Sequence, residues 1–176
     1  MPTSRPSPAV SAAGGRWRRL WTGLWDHQQS PSRYLLRAWL ADVPISLLIV
    51  LAVGWLTASP WPDFEGFSLP RVLFAMVLFA PIGETLLMAA IFWLLRFFVK
   101  RDGARALTSA LIWAGLHSLA SPAWGPQIVW AFLIFSACYV TWEKHSVWRA
   151  ITMTAALHML HNAVPAIALV FSRLTA

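Results

Sequence analysis

Five side chains able to move protons or polarise a carbonyl lie in stretches that are otherwise apolar: Glu84, His117, His158, His161 and Asn162. Glu84 is the only ionisable residue in the run from Val72 to Leu95 and stands near its middle. That run is long enough to cross a bilayer. An acid at such depth costs at least a few kcal/mol unless a partner or a wet cavity receives it. A carboxylate in apolar surroundings is a stronger base than one in water, which suits a general base working near neutral pH. An imidazole beside it can orient or help activate a water. A second imidazole and an amide can donate hydrogen bonds to a developing oxyanion. Together these are the parts for hydrolysis of an amide bond without a covalent nucleophile. Glu, His and His are also a zinc ligand set, but no His-Glu-x-x-His pair shares a helix, so the spacing lends zinc no support and no cofactor is expected.

The elements that must position these groups are apolar helices. Of 176 residues, 58% are hydrophobic and 12% charged, and the mean hydropathy is +0.58. A soluble domain carries about twice that share of charge. The expected fold is an all-α, polytopic transmembrane bundle of about five spans: Ala38 to Ala58, Val72 to Leu95, Ala106 to Ala120, Ile128 to Trp142 and Ala150 to Phe171. Residues 1–37 form a tail and an amphipathic segment, and residues 38–176 one membrane domain. The first 15 residues, rich in Pro, Ser, Ala and Gly, read as disordered, and no cleavable signal is expected. Trp17, Leu20, Trp21, Leu24 and Trp25 follow at helical spacing, with Arg16, Arg18 and Arg19 on other faces. Such a helix lies in the headgroup region or packs on the protein's own surface, and the headgroup position is the expected one. Asp42 is placed near the start of the first span, within reach of water. Ser59 to Pro70 reads as an exposed loop holding Asp63 and Glu65. Pro81 and Pro165 interrupt helices beside the polar residues, which is tolerated where a cavity receives the freed backbone groups.

The net charge of +7 sits in clusters near span ends, a pattern of membrane orientation and lipid-headgroup contact rather than of nucleic-acid binding. Basic residues fall in the stretch Arg16 to Arg37, then Arg96 to Arg105, then Lys144 and Arg149, while the alternate loops hold Asp63 and Glu65, no charge, and Arg173 alone. This alternation predicts a multi-pass protein of the cell inner membrane with its N-terminus cytoplasmic. The single cysteine, Cys138, cannot form an intrachain disulfide.

Depth brings the polar residues together. At 1.5 Å per residue from the cytoplasmic ends, Glu84 lies roughly 17–20 Å in, His117 roughly 17–18 Å, His158 roughly 12–16 Å and Asn162 roughly 18–22 Å. His158 and Asn162, four apart, share a helix face. The ordinary readings stand beside the chemical one. A lone His or Asn in a membrane helix commonly makes an interhelical hydrogen bond, and a buried Glu–His group also serves proton-coupled carriers. His161 reads as a neighbour of the site rather than a participant. Ser118 reads as a packing hydroxyl, His145 as a loop residue and His27 as solvent-facing.

Three segments, in order and on separate spans, carry a resemblance: Ala80-Pro81-Ile82-Gly83-Glu84, Trp113-Ala114-Gly115-Leu116-His117 and His158-Met159-Leu160-His161-Asn162. They resemble the motifs of the CPBP (CAAX protease and bacteriocin-processing) intramembrane proteases: Glu-Glu-x-x-x-Arg, an aromatic followed four residues on by His, and His-x-x-x-Asn. Ala137 to Arg149 is similar to that family's lead into the last motif, so the resemblance covers about residues 75–165. It implies an intramembrane endopeptidase in which Glu84 activates water, His117 holds that water, and His158 with Asn162 forms the oxyanion site, all without a metal. The implied substrate is a membrane-anchored protein or peptide in the lipid bilayer. Two positions depart from the pattern: Thr85 stands where the second Glu belongs and Ala89 where the Arg belongs. These are i and i+4, so the departure removes opposite charges together and strands neither in the membrane. A non-catalytic member that binds a membrane partner through the same cavity is the alternative.

Overall fold

The computed structural model describes residues 19–57 and 66–175. The tail over 1–15, Trp17, Asp63 and Glu65 lie outside the described residues. Five long helices follow one another: α1 (Pro31–Thr57), α2 (Leu69–Leu95), α3 (Asp102–Ala120), α4 (Trp124–Glu143) and α5 (Val147–Thr175). There is no strand among the described residues. α1, α2, α4 and α5 are each long and apolar enough to cross a membrane. α3 is helical where a span is expected, but Asp102, Arg105, Thr108, Ser109 and His117 dilute its apolar character. It is held to α4 by a buried Ser136 Oγ–Ser109 Oγ hydrogen bond of 3.0 Å. The chain is an all-α helical bundle and a membrane protein.

Every helix begins earlier than its apolar run. The largest difference is at α1, which starts at Pro31 rather than Ala38. The Tyr34 amide bonds the Ser30 carbonyl, and proline fits the first helical position because its missing N–H has no intrahelical partner there. Likewise Pro70, expected in a loop, sits in the first turn of α2 behind Ser68. Apolar runs mark what lipid or core covers, and a polar first turn outside them is still helix.

α4 is the centre of the bundle, packing against α1, α3 and α5. In its most apolar window 61% of residues are buried, against 22–28% for the other candidate spans. Phe92 of α2 stacks on Tyr139 of α4 at 4.7 Å between centroids, and Tyr34 of α1 meets Trp142 edge-on at 5.4 Å. The outer faces of the other helices display large apolar side chains such as Leu48, Trp55, Trp93 and Leu119, as lipid contact requires.

The amphipathic segment is helical over 19–23 and docks on the bundle. Leu24 is buried, and its carbonyl accepts from the Tyr34 hydroxyl at 3.1 Å and from Thr141 Oγ1 at 2.7 Å. His27 is half-buried rather than solvent-facing, because His145 donates from Nε2 to its carbonyl at 2.8 Å and the two rings meet at 5.4 Å. At the same end Arg105 donates to Glu143 at 2.8 Å, and Lys144 pairs with Asp102 at 3.1 Å. These pairs tie the start of α3 to the end of α4.

At the opposite end the α3–α4 turn is tight. A methyl group at Gly125 would collide with the Ala114 carbonyl oxygen and Ser118 Oγ. Gly125→Ala is expected to cost about 1–3 kcal/mol by forcing the two backbones apart. Gly115→Ala, with open space around it, should leave stability unchanged or raise it by up to about 1 kcal/mol. Thermal unfolding of both variants in detergent checks the contrast.

Candidate functional site

α2 is not a uniform α-helix. Its middle, Ala75–Phe79, is a π-helical turn, and the Ala80 amide bonds the Ala75 carbonyl five residues back. In that register the next bond would run from residue 81 to the Met76 carbonyl, and residue 81 is proline, which has no N–H. Met76 O is therefore left without a backbone donor. Asn162 of α5 supplies one, donating from Nδ2 at 2.8 Å. The irregularity expected at Pro81 thus takes the form of a π turn, a feature frequent at functional sites. Glu84 follows Pro81 by three residues.

The Glu84 side chain is 28% exposed and faces His158, with Oε2 3.8 Å from Nε2. That is longer than a hydrogen bond, and a water seated beside the pair can bond to both. The His158 ring lies against Phe135 of α4, centroids 4.4 Å apart. His117, on α3, donates from Nδ1 to the Trp113 carbonyl at 3.0 Å. This fixes the proton on Nδ1 and leaves Nε2 as an acceptor. Its ring packs on Phe132 at 5.2 Å.

Glu84, His117, His161 and Asn162 line one cavity of about 610 Å³, to which all five helices contribute, with Leu47 from α1 and Trp124 and Gln127 from α4. Pro165 lines it too. His158 borders it through Glu84. The four residues singled out as a site thus converge from three helices. Asn162 has a structural duty as well, but an amide nitrogen carries two hydrogens, so one N–H and Oδ1 remain beyond the bond to Met76.

One expectation needs correction. Asp42 does not reach water; it is fully buried. Since α1 begins at Pro31, Asp42 lies three turns in, about 17 Å along the axis, at the depth of Glu84. Its Oδ1 accepts from Ser46 Oγ at 2.8 Å, and its Oδ2 accepts from His161 Nδ1 at 2.7 Å. His161, expected as a neighbour of the site, lines the cavity and is the partner of that buried acid. The Ser30-Pro31 helix start was the sequence signal for Asp42. Nothing in the sequence pointed to Gln127 or to the Met76 carbonyl.

Compared with protein-family models, with curated proteins and with solved structures, the chain finds no match.

Removing one partner of a buried pair leaves an uncompensated charge, at about 3–5 kcal/mol. His161→Leu is expected to lose that much stability. The double variant Asp42→Leu with His161→Leu should recover most of it, because no charge is then stranded. A double-mutant cycle of unfolding in detergent measures the coupling.

Proposed function

We propose that this chain is an intramembrane endopeptidase of the CPBP type. In this reading it hydrolyses a peptide bond of a membrane-anchored protein or peptide with water activated at Glu84. The observation that carries the reading is the meeting of Glu84 and His158 at 3.8 Å beside a cavity also lined by His117 and Asn162. A carboxylate with no cation other than an imidazole against it can take a proton from water. His117, its Nε2 free to accept, holds that water. His158 and the second amide hydrogen of Asn162 serve the oxyanion that forms as the water oxygen adds to the carbonyl carbon. No metal or cofactor enters this scheme. The N-terminus is cytoplasmic and the membrane is the cell inner membrane, as the alternation of basic loops favours.

The departures from the family pattern fit the same reading. Thr85 is buried and Ala89 packs against the core, so an ion pair at those positions would face the bundle interior, away from Glu84. Thr85 and Ala89 in its place alter a support rather than a reacting group. A second reading, a non-catalytic cavity that binds a membrane partner, draws on the Asn162 bond to Met76, which gives that residue a purely structural reason to be present.

Glu84→Gln separates the two. Protein termini from membranes and secreted fractions of cells carrying wild type or the variant, at matched expression, are compared by mass spectrometry. Termini present with wild type and lost with Glu84→Gln are expected, and they name the substrate. Identical profiles from a variant that still folds and inserts would leave only the binding reading.

A further inference from the structure

Hydrolysis of a peptide bond needs a proton twice: one must leave the attacking water, and one must reach the departing amine. Glu84, His117, His158 and Asn162 provide for the first and for the oxyanion. His161 lines the same cavity without a role in that scheme, and Asp42 stands behind it. Asp42 is fully buried and holds two hydrogen bonds, from Ser46 and His161. The bond from His161 fixes Nδ1 as the donor to Asp42, and Nε2 has no hydrogen-bond partner among the described residues. The His161 side chain is 20% exposed and lines the cavity with Glu84. Phe135 fixes its place relative to the oxyanion group, since one ring touches both His158, at 4.4 Å, and His161, at 5.5 Å. A buried carboxylate on one imidazole nitrogen stabilises the imidazolium and sets which nitrogen faces the reaction.

Resting on the hydrolytic reading above, we propose that His161, held by Asp42, is the general acid that protonates the leaving amine. The water gives one proton to Glu84 as its oxygen bonds to the carbonyl carbon. The tetrahedral adduct collapses, the C–N bond breaks, and the amine nitrogen takes the Nε2 proton of the His161 imidazolium. The proton on Glu84 then passes through cavity water to Nε2, restoring both groups. One water and one amide have become an acid and an amine.

A leaving alkoxide needs this proton far less than a leaving amine, and that difference provides the test. Two peptides carrying the segment cleaved in cells, one with the amide and one with an ester at the scissile bond, are given to the full-length protein in detergent. Glu84→Gln should abolish turnover of both. His161→Gln, which keeps a donor for Asp42, should lose at least about 100-fold on the amide and stay within a few-fold of wild type on the ester. Asp42→Asn, of the same shape, should show the same amide-selective loss, and it carries the test should His161→Gln fail to insert. If Glu84→Gln leaves both peptides cleaved at the wild-type rate, the hydrolytic reading fails and this assignment with it. If Glu84→Gln is inactive while the His161 and Asp42 variants lose equally on both peptides, or lose nothing, only the general-acid role is overturned.

Discussion

An acid enclosed by apolar helices must find its partner inside the protein, and this bundle encloses two. Asp42 and Glu84 come from different helices, each carries a histidine of α5 as its neighbour, and the two histidines are three residues apart. That demand fixes much of the arrangement. α5 must present His158 towards α2 and His161 towards α1, which places it between them, as its packing against both records. The helix that meets both demands therefore also walls the cavity. In water such pairs would be worth little; here the alternative to pairing is a stranded charge, and the geometry has little freedom.

The same logic acts on the backbone. Pro81 withholds one N–H, the π turn before it shifts the bonding by one residue, and the carbonyl left over belongs to Met76. Asn162 fills that place from across the bundle. Near Pro44 and Pro165, tryptophans bond the carbonyl next to the one each proline frees. Pro44 leaves the Leu40 carbonyl without a helical donor, and Trp130 Nε1 bonds the adjacent Ala41 carbonyl at 3.0 Å. Pro165 frees the His161 carbonyl, and Trp39 Nε1 reaches the adjacent Leu160 carbonyl at 3.2 Å. Prolines loosen the helices around the cavity, and side chains from neighbouring helices occupy the backbone there.

What the sequence revealed follows from what helical geometry transmits. Rise per residue and an uncharged run suffice to place Glu84, His117, His158 and Asn162 at similar distances from their helix ends, because a helix advances by a fixed rise. Asp42 escapes that arithmetic because its apolar run begins seven residues after its helix does, and counting from the run puts the acid near the surface. Once Pro31 is the origin, the same arithmetic finds it. The Asn162–Met76 bond is of another kind. It depends on a π turn, and no residue pattern distinguishes a π turn from an α-helix ending at a proline. Docking of Leu24 and Trp25 on the bundle was equally hidden, since one amphipathic face serves headgroups or a protein surface alike.

The most buried helix contributes none of the acids or imidazoles, yet it sets the spacing among them. Phe132 of α4 touches His117 and His158, and Phe135 touches His158 and His161. Two aromatic rings one turn apart thus index three imidazoles that come from two other helices. Aromatic faces suit this task because they hold a ring in place by shape without offering it a hydrogen bond. The imidazole nitrogens stay committed to the Trp113 carbonyl and Asp42, face Glu84, or open to the cavity. A polar side chain at either position would compete for those nitrogens and change which one faces the cavity. An aliphatic one would leave the rings free to turn. The acids, imidazoles and amide of the site thus come from α1, α2, α3 and α5, and the spacing of its imidazoles from α4.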